Sequence, residues 1–224
     1  MKPRVVLFWD IDLTLLSTGR AGLYAFEDAL EEVAGIRADL SELSTPGMTD
    51  HGVAQLVLAQ AGVEATPELI ETLLGEYERR LPESLPKRQG RVLEGIREVL
   101  EDLEGRDDVR SYLLTGNTAA GAKAKLAHYG LDEFFPDGKG AFCIDHGSRS
   151  DIARRALPLA EGAEQIYVIG DTPADVECGK AIGARTIAVA SGWHSPAELA
   201  ASDPWAVLEQ IPEPAAFRRL IGLG

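Results

Sequence analysis

Val5-Val6-Leu7-Phe8-Trp9-Asp10-Ile11-Asp12-Leu13-Thr14 joins an unbroken β-prone apolar run to a pair of acids. A run without polar residues at alternate positions fits a strand buried on both faces, as in a parallel sheet covered by helices. Three further runs share this outline: Val109–Leu114 before Thr115-Gly116-Asn117, residues 166–169 before Gly170-Asp171, and residues 186–189 before Ala190-Ser191-Gly192. Each ends in small or polar residues and leads into a helix-like segment. That alternation predicts an α/β fold, a doubly wound parallel sheet with helices on its faces.

Residues 16–89 interrupt the alternation and contain no convincing strand. Leu23, Phe26, Leu30 and Val33 repeat at helical spacing, as do Val53, Leu56 and Gln60. Thr66-Pro67 reads as a helix cap followed by proline at the first helical position, ahead of an apolar stripe at Leu69, Ile70, Leu73, Leu74, Tyr77 and Leu81. Residues 82–90, with Pro82 and Pro86, read as an exit linker. The expected organisation is an α/β core from residues 1–15 and 90–224, with a small all-helical insert at residues 16–89. Leu23, Phe26, Leu73 and Tyr77 are expected to form the core of that insert.

Composition narrows the function. The 224 residues carry a formal charge of −14, which repels phosphate backbones and anionic lipids, so neither nucleic acid nor membrane is expected as a partner. Apolar runs, such as residues 187–190, fall far short of a membrane span, and the five apolar residues before Asp10 are too few for a signal peptide. Cys143 and Cys178 form no Cys-X-X-Cys pair, and His51, His128, His146 and His194 show no zinc-ligand spacing. The cysteines read as small buried apolar residues, His51 as a helix-surface residue, and Trp193-His194 as a surface loop or site rim. A cytoplasmic, reduced protein is expected, as a monomer or homodimer.

In open α/β sheets, ligands bind beyond the carboxyl ends of the strands. Asp10 and Asp12 lie at such an end. One such acid can bind metal and attack phosphorus, while the other exchanges a proton with a leaving group. Asp171 ends another strand and is placed to share a hard cation such as Mg²⁺ with Asp10, and Asp175 follows in the first turn of the next helix. Thr115, Gly116 and Asn117, before a helix starting near Thr118, offer hydroxyl and backbone N–H donors to an anion.

Asp10-x-Asp12-x-Thr14, Thr115-Gly116-Asn117 and Gly170-Asp171-x-x-x-Asp175 together resemble the haloacid dehalogenase superfamily of hydrolases, in its phosphoglycolate phosphatase-like branch. The resemblance spans essentially the whole chain. It implies a helical C1-type cap at residues 16–89, and a Mg²⁺-dependent phosphatase acting on a small phosphorylated metabolite. It implies Asp10 as the nucleophile that forms an aspartyl-phosphate, Asp12 as general acid and base, and Thr115 as a hydrogen-bond partner of the transferring phosphoryl group. Mg²⁺ would be held by Asp10, the main-chain carbonyl of Asp12, and Asp171, with Asp175 supporting the metal shell. Thr14, Gly116, Asn117 and, from the cap, Arg20, Met48, Thr49 and Asp50 are the expected substrate contacts; Thr49-Asp50 reads equally as a helix cap.

Two departures stand out. Leu13 follows the second acid where the family usually has glycine. The family's lysine, roughly two dozen residues before the metal-binding Asp, is missing. A cation is needed there to offset the charge of nucleophile and phosphate, and Arg149 is the best substitute by position, ahead of Arg154 and Lys139.

Asp12 favours phosphoester over haloacid chemistry, since halide leaves without a proton. Lys87 is the only lysine in residues 16–89, which disfavours phosphonatase chemistry through a cap Schiff base. A β-phosphoglucomutase-like phosphomutase, a phosphoacceptor signalling module and a non-catalytic phosphate-binding protein are the alternatives. Phosphoglycolate, a sugar phosphate and a nucleoside monophosphate all fit as substrates.

Overall fold

β1 (Val5–Trp9) runs through the middle of the sheet with every side chain fully buried. Val5, Leu7 and Trp9 pack into the cluster on one face, and Val6 and Phe8 into the cluster on the other. A strand buried this way tolerates no polar alternation, and each such side chain contributes about 1.5–3 kcal/mol of burial.

The computed structural model describes residues 3–135, 139–145 and 147–223. Residues 1–2, 136–138, 146 and 224, which include His146 and parts of the expected core ranges, lie outside the described residues. After β1 come β2 (Leu16–Ser17), α1 (Ala21–Ala34), α2 (Asp50–Gln60), α3 (Pro67–Ser84) and β3 (Arg91–Val92). Then follow α4 (Ile96–Leu103), β4 (Val109–Leu114), α5 (Ala119–Tyr129), β5 (Gly140–Ala141) and α6 (Arg149–Ala156). The chain finishes with β6 (Gln165–Gly170), α7 (Pro173–Ile182), β7 (Arg185–Val189), α8 (Pro196–Ala201), β8 (Ala206–Leu208) and α9 (Pro214–Leu220).

Among the described residues, the main sheet has six parallel strands in the order β5-β4-β1-β6-β7-β8. From β1 the chain builds outward through β4 and β5, then crosses to β6 on the other side of β1. This reversal makes the carboxyl ends of β1, β4 and β6 the topological switch point. Trp9 stands opposite both Leu113 and Ile169, so the residues just beyond each strand meet at one level.

The four strands expected from sequence are present. β5 and β8 were not expected, because two or three residues are too short to show a period. The expectation of no strand in residues 16–89 is corrected by β2, which pairs antiparallel with β3 through Leu16–Val92 and Ser17–Arg91. This ribbon ties together the two chain crossings at the root of the helical segment. The linker expectation is also corrected. α3 continues through Pro82 to Ser84, and a 3₁₀ turn follows at Leu85–Lys87. Tertiary contacts outweigh the proline there: Leu81 and Leu85 are buried, and the Ser84 hydroxyl donates to the Ala21 carbonyl at 2.9 Å.

Helices α1 to α3 carry their own apolar cluster, which includes Phe26, Leu30, Leu73 and Tyr77, with Leu23 packed against it. The Phe26 and Tyr77 rings stack with centroids 4.1 Å apart. Among the described residues no helix is long and apolar enough to cross a membrane.

Candidate active site

The turn after β1 carries the first two acids. The Asp10 N–H continues the ladder by donating to the Ile169 carbonyl at 2.9 Å. The chain then turns tightly, with the Leu13 N–H donating to the Leu16 carbonyl at 2.7 Å. Leu13 has φ 60°, the left-handed region. Glycine reaches that region freely and a side chain does so at a cost of about 1–2 kcal/mol. Leu13 holds this conformation with a side chain, at the position where the family pattern has glycine. Its carbonyl accepts a hydrogen bond from the Ser191 hydroxyl at 2.6 Å.

Asp10, Asp171 and Asp175 are buried, and ligand oxygens of the three lie within 4.8 Å of one another. Arg149 opens α6 and reaches into this group. Its Nη1 donates to Asp10 Oδ1 at 3.1 Å and its Nη2 donates to Asp175. Burial favours loss of the Arg149 proton, but the carboxylates of Asp175 and Asp10 outweigh it and keep the guanidinium charged. α6 is started by a reciprocal cap between Ser148 and Asp151, which fixes Arg149 at the first helical position. Arg154 instead pairs with Asp151 at the surface, and Lys139 lines a separate groove. Position in sequence therefore selected the cation that reaches Asp10.

Burial pushes Asp10 above the usual carboxylate range; Arg149 opposes the rise, and Asp175 and Asp12 add to it. Burial also pushes Asp171 up, with the charges of Asp175 and Asp10 behind it. The Thr14 hydroxyl lies 3.5 Å from Asp171 Oδ1. Gly192 passes so close to the Asp171 carboxylate that a β-carbon there would collide with it. Asp175 also caps its own helix, accepting from the Thr172 N–H at 3.1 Å and hydroxyl at 2.7 Å. Three buried carboxylates around one guanidinium are an excess of hard oxygen donors, and that donor set suits Mg²⁺.

Asp12 belongs to a different group. Its Oδ2 accepts from Asn117 Nδ2 at 2.8 Å and from Lys125 Nζ at 2.6 Å. Asn117 Nδ2 also donates to the Thr115 hydroxyl at 2.8 Å, and Lys125 Nζ donates to Asn117 Oδ1. Burial works against the charge of Lys125, but Asp12 and Asp50 outweigh it and raise its pKa. Asp50, the first residue of α2, accepts from the Thr118 N–H at 2.8 Å, while its own N–H donates to the Gly116 carbonyl at 2.7 Å. Burial raises the Asp50 carboxyl to about 6, against the opposing charge of Lys125. Gly116 leaves no room for a β-carbon, which would meet the Met48 carbonyl and Arg149.

The two groups face one cavity of about 410 Å³. Asp10, Asp12, Gly116, Asn117, Arg149 and Asp171 line its floor, and residues of the helical segment, including Phe26, Met48 and Tyr77, line its roof. Trp193, 67% exposed, stands at the rim. Thr14 and Thr115 are buried behind the lining. Arg20 lines the cavity, but its guanidinium donates to the carbonyls of Ser41 and Leu43. Thr49 is the α2 cap, its hydroxyl accepting from the Gly52 N–H at 3.1 Å.

The expectation of a surface His51 is corrected: it is buried, because the first turn of α2 packs against residues 115–118. Cys143 and Cys178 are free and buried, as expected. Sequence reasoning missed Lys125. The available signal was its place on the apolar face of α5, three residues after Ala122 and one before Leu126, both buried. A lysine in such a place needs an anionic partner.

The haloacid dehalogenase-like hydrolase family model matches residues 7–180, and a related hydrolase-like model matches residues 148–214. The chain is 27% identical over 217 residues to the probable phosphatase IndB of Dickeya dadantii, covering 95% of this chain and 92% of that protein. The structure of a predicted phosphatase from Clostridium acetobutylicum superposes with a TM-score of 0.73 at 18% identity, over 100% of both chains. CbbY from Rhodobacter sphaeroides, solved in complex with phosphate, superposes at 0.72 and 19% identity, covering 93% of this chain and 95% of that one. With the switch-point site and the family match over most of its length, the chain belongs to the haloacid dehalogenase-like hydrolases.

Proposed function

We propose that this hydrolase cleaves small-molecule phosphomonoesters through an aspartyl-phosphate on Asp10, with residues 16–89 as its cap. The observation that carries the reading is the shared cavity: Asp10 and Asp12 both line it, and Arg149 lies 3.1 Å from Asp10. Asp10 Oδ attacks phosphorus, and the bond from phosphorus to the ester oxygen breaks. The departing oxygen takes its proton from Asp12 and leaves as the alcohol. Water then attacks phosphorus, Asp12 takes a proton from it, and the bond to Asp10 breaks to release phosphate. Arg149 offsets the charge that gathers between nucleophile and phosphoryl oxygens. On the β4 side the Thr115 hydroxyl hydrogen-bonds Asp10 and the Asn117 amide donates to Asp12, which steadies the two acids.

Asp10, the Asp12 carbonyl and Asp171 would hold Mg²⁺, supported by Asp175; the ion would neutralise phosphate charge and orient the phosphoryl group. The roof over the cavity limits the substrate to a small phosphorylated metabolite. The unpaired cysteines suit a reducing, cytoplasmic setting.

The test is phosphate release from a panel of small phosphomonoesters, with Mg²⁺ and with excess chelator, for wild type and Asp10→Asn. Release is expected only from wild type with Mg²⁺, with the variant down more than about 10³-fold and its fold intact. Turnover by Asp10→Asn at the wild-type rate would reject the covalent mechanism.

A further inference from the structure

We propose that Lys125 positions Asp12 for protonation of the leaving group, acting both directly and through the Asn117 amide. This rests on the role given to Asp12 above. Lys125 is 4% exposed, extends from α5 to the cavity wall, and places Nζ 2.6 Å from Asp12 Oδ2. The same ammonium donates to Asn117 Oδ1. An ammonium has only donors, so this contact fixes which end of the Asn117 amide faces it. Asn117 Nδ2 is thereby turned toward its two acceptors, Asp12 Oδ2 and the Thr115 hydroxyl.

Two bonds thus fall on one oxygen of Asp12, while the side chain keeps 41% exposure in the cavity wall. Oδ1 is left to carry the proton to the departing ester oxygen. A carboxyl on a free rotor would spend much of its time misdirected, and such misplacement costs turnover steeply. Burying a lysine is expensive, and an apolar side chain would fill the same space in α5 at less cost. The cation therefore serves its partners more than the packing. Lys125 touches no reacting atom and is a positioning residue.

The test uses leaving-group dependence. An alkoxide leaves poorly without a proton, whereas 4-nitrophenolate leaves as a stable anion. Turnover of glycerol 2-phosphate and 4-nitrophenyl phosphate is compared in wild type, Lys125→Met and Asp12→Asn, with thermal unfolding as the check on folding. Lys125→Met is expected to lose about 10²-fold on the alkyl ester and less than about tenfold on the aryl ester, the range of a general-acid contribution. Asp12→Asn is expected to show the same asymmetry, more strongly. Should Lys125→Met not fold, Lys125→Gln is read in the same way, and Lys125→Arg is expected to restore part of the alkyl-ester rate. Equal losses on both esters for the Lys125 variants, with Asp12→Asn still asymmetric, would overturn the positioning role alone. Equal losses in Asp12→Asn would instead overturn the general-acid reading and this proposal with it.

Discussion

The two sides of the cavity are built on different electrostatic plans. Beyond β1 and β6, Asp10, Asp171 and Asp175 cluster, and the guanidinium of Arg149 pairs with Asp10 and Asp175. On the β4 side of the cavity, Asp12 and Asp50 flank the ammonium of Lys125, and the Asn117 amide and the Thr118 N–H absorb further carboxylate charge. The first side gathers three buried carboxyls, and burial raises the pKa of Asp10 and Asp171. The second sets two acids against one cation and ties them with hydrogen bonds. An excess of carboxylate suits a place that receives a cation and an electrophilic phosphorus. A closely hydrogen-bonded network suits a place that must hold one proton carrier still.

Removing Arg149 breaks the first side most severely. Arg149→Ala leaves Asp10 and Asp175 buried without their cation, a loss of about 3–5 kcal/mol for a broken buried pair. Turnover is expected to fall about 10²–10³-fold as the phosphoryl charge loses its partner. Arg149→Lys keeps the charge but not the fork that spans two carboxylates, so it should recover stability better than rate. Denaturant unfolding and phosphate release, measured on both variants, separate the two effects. An alanine variant with wild-type turnover would remove Arg149 from the chemistry.

This contrast also decides what the sequence could reveal. Asp10 and Asp171 sit just beyond strand ends, where an apolar run stopping at a charge marks the site. β1 and β4 were legible over their full lengths for the same reason. Arg149, by contrast, opens α6 and was placed by its spacing before Asp171. Lys125 lies mid-helix, and its partners are 113 residues away at Asp12 and 8 away at Asn117, so no local spacing announces it. Asp50 could be read as a cap or a ligand contact; only the packing of α2 on residues 115–118 shows it binding the Thr118 N–H. β2 and β3 were hidden because two residues on either side of a long helical segment carry no period. Pro82 misled because its helix is secured by burial at Leu81 and Leu85 and by the Ser84 contact to α1, none of it local.

A smaller effect tests the second side. The Asp50 carboxyl stands at about 6 in the folded protein against 3.8 ordinarily, chiefly through burial. The folded state therefore keeps this proton to higher pH than the unfolded chain does. Its contribution is fully present below about 4 and is lost as pH rises through about 6. Asp50→Asn keeps an acceptor for the Thr118 N–H and removes the titration. Relative to wild type, the variant should gain about 2–3 kcal/mol as pH is raised across this window. Unfolding free energies at a series of pH values for both proteins check this; parallel curves would show that Asp50 is already ionised at low pH and belongs with the solvated acids.

The smallest effect lies where the two sides join. Asp10 serves one and Asp12 the other, and the turn through Leu13 sets the angle between them. Leu13 holds φ 60° with its N–H on the Leu16 carbonyl and its own carbonyl on Ser191, so the conformation is imposed by its surroundings. Comparing Leu13→Gly with Leu13→Ala isolates the backbone term, because both lose the leucine side chain and only alanine retains the left-handed penalty. Glycine is expected to be the more stable of the two by about 1 kcal/mol, after its greater freedom in the unfolded chain is set against the relief. Equal unfolding midpoints would mean that the turn relaxes once the side chain is gone. In that case the spacing of Asp10 and Asp12 would depend on leucine packing, and both variants should lose turnover together; with glycine ahead in stability, the hydrogen bonds alone hold the turn and turnover should survive in both.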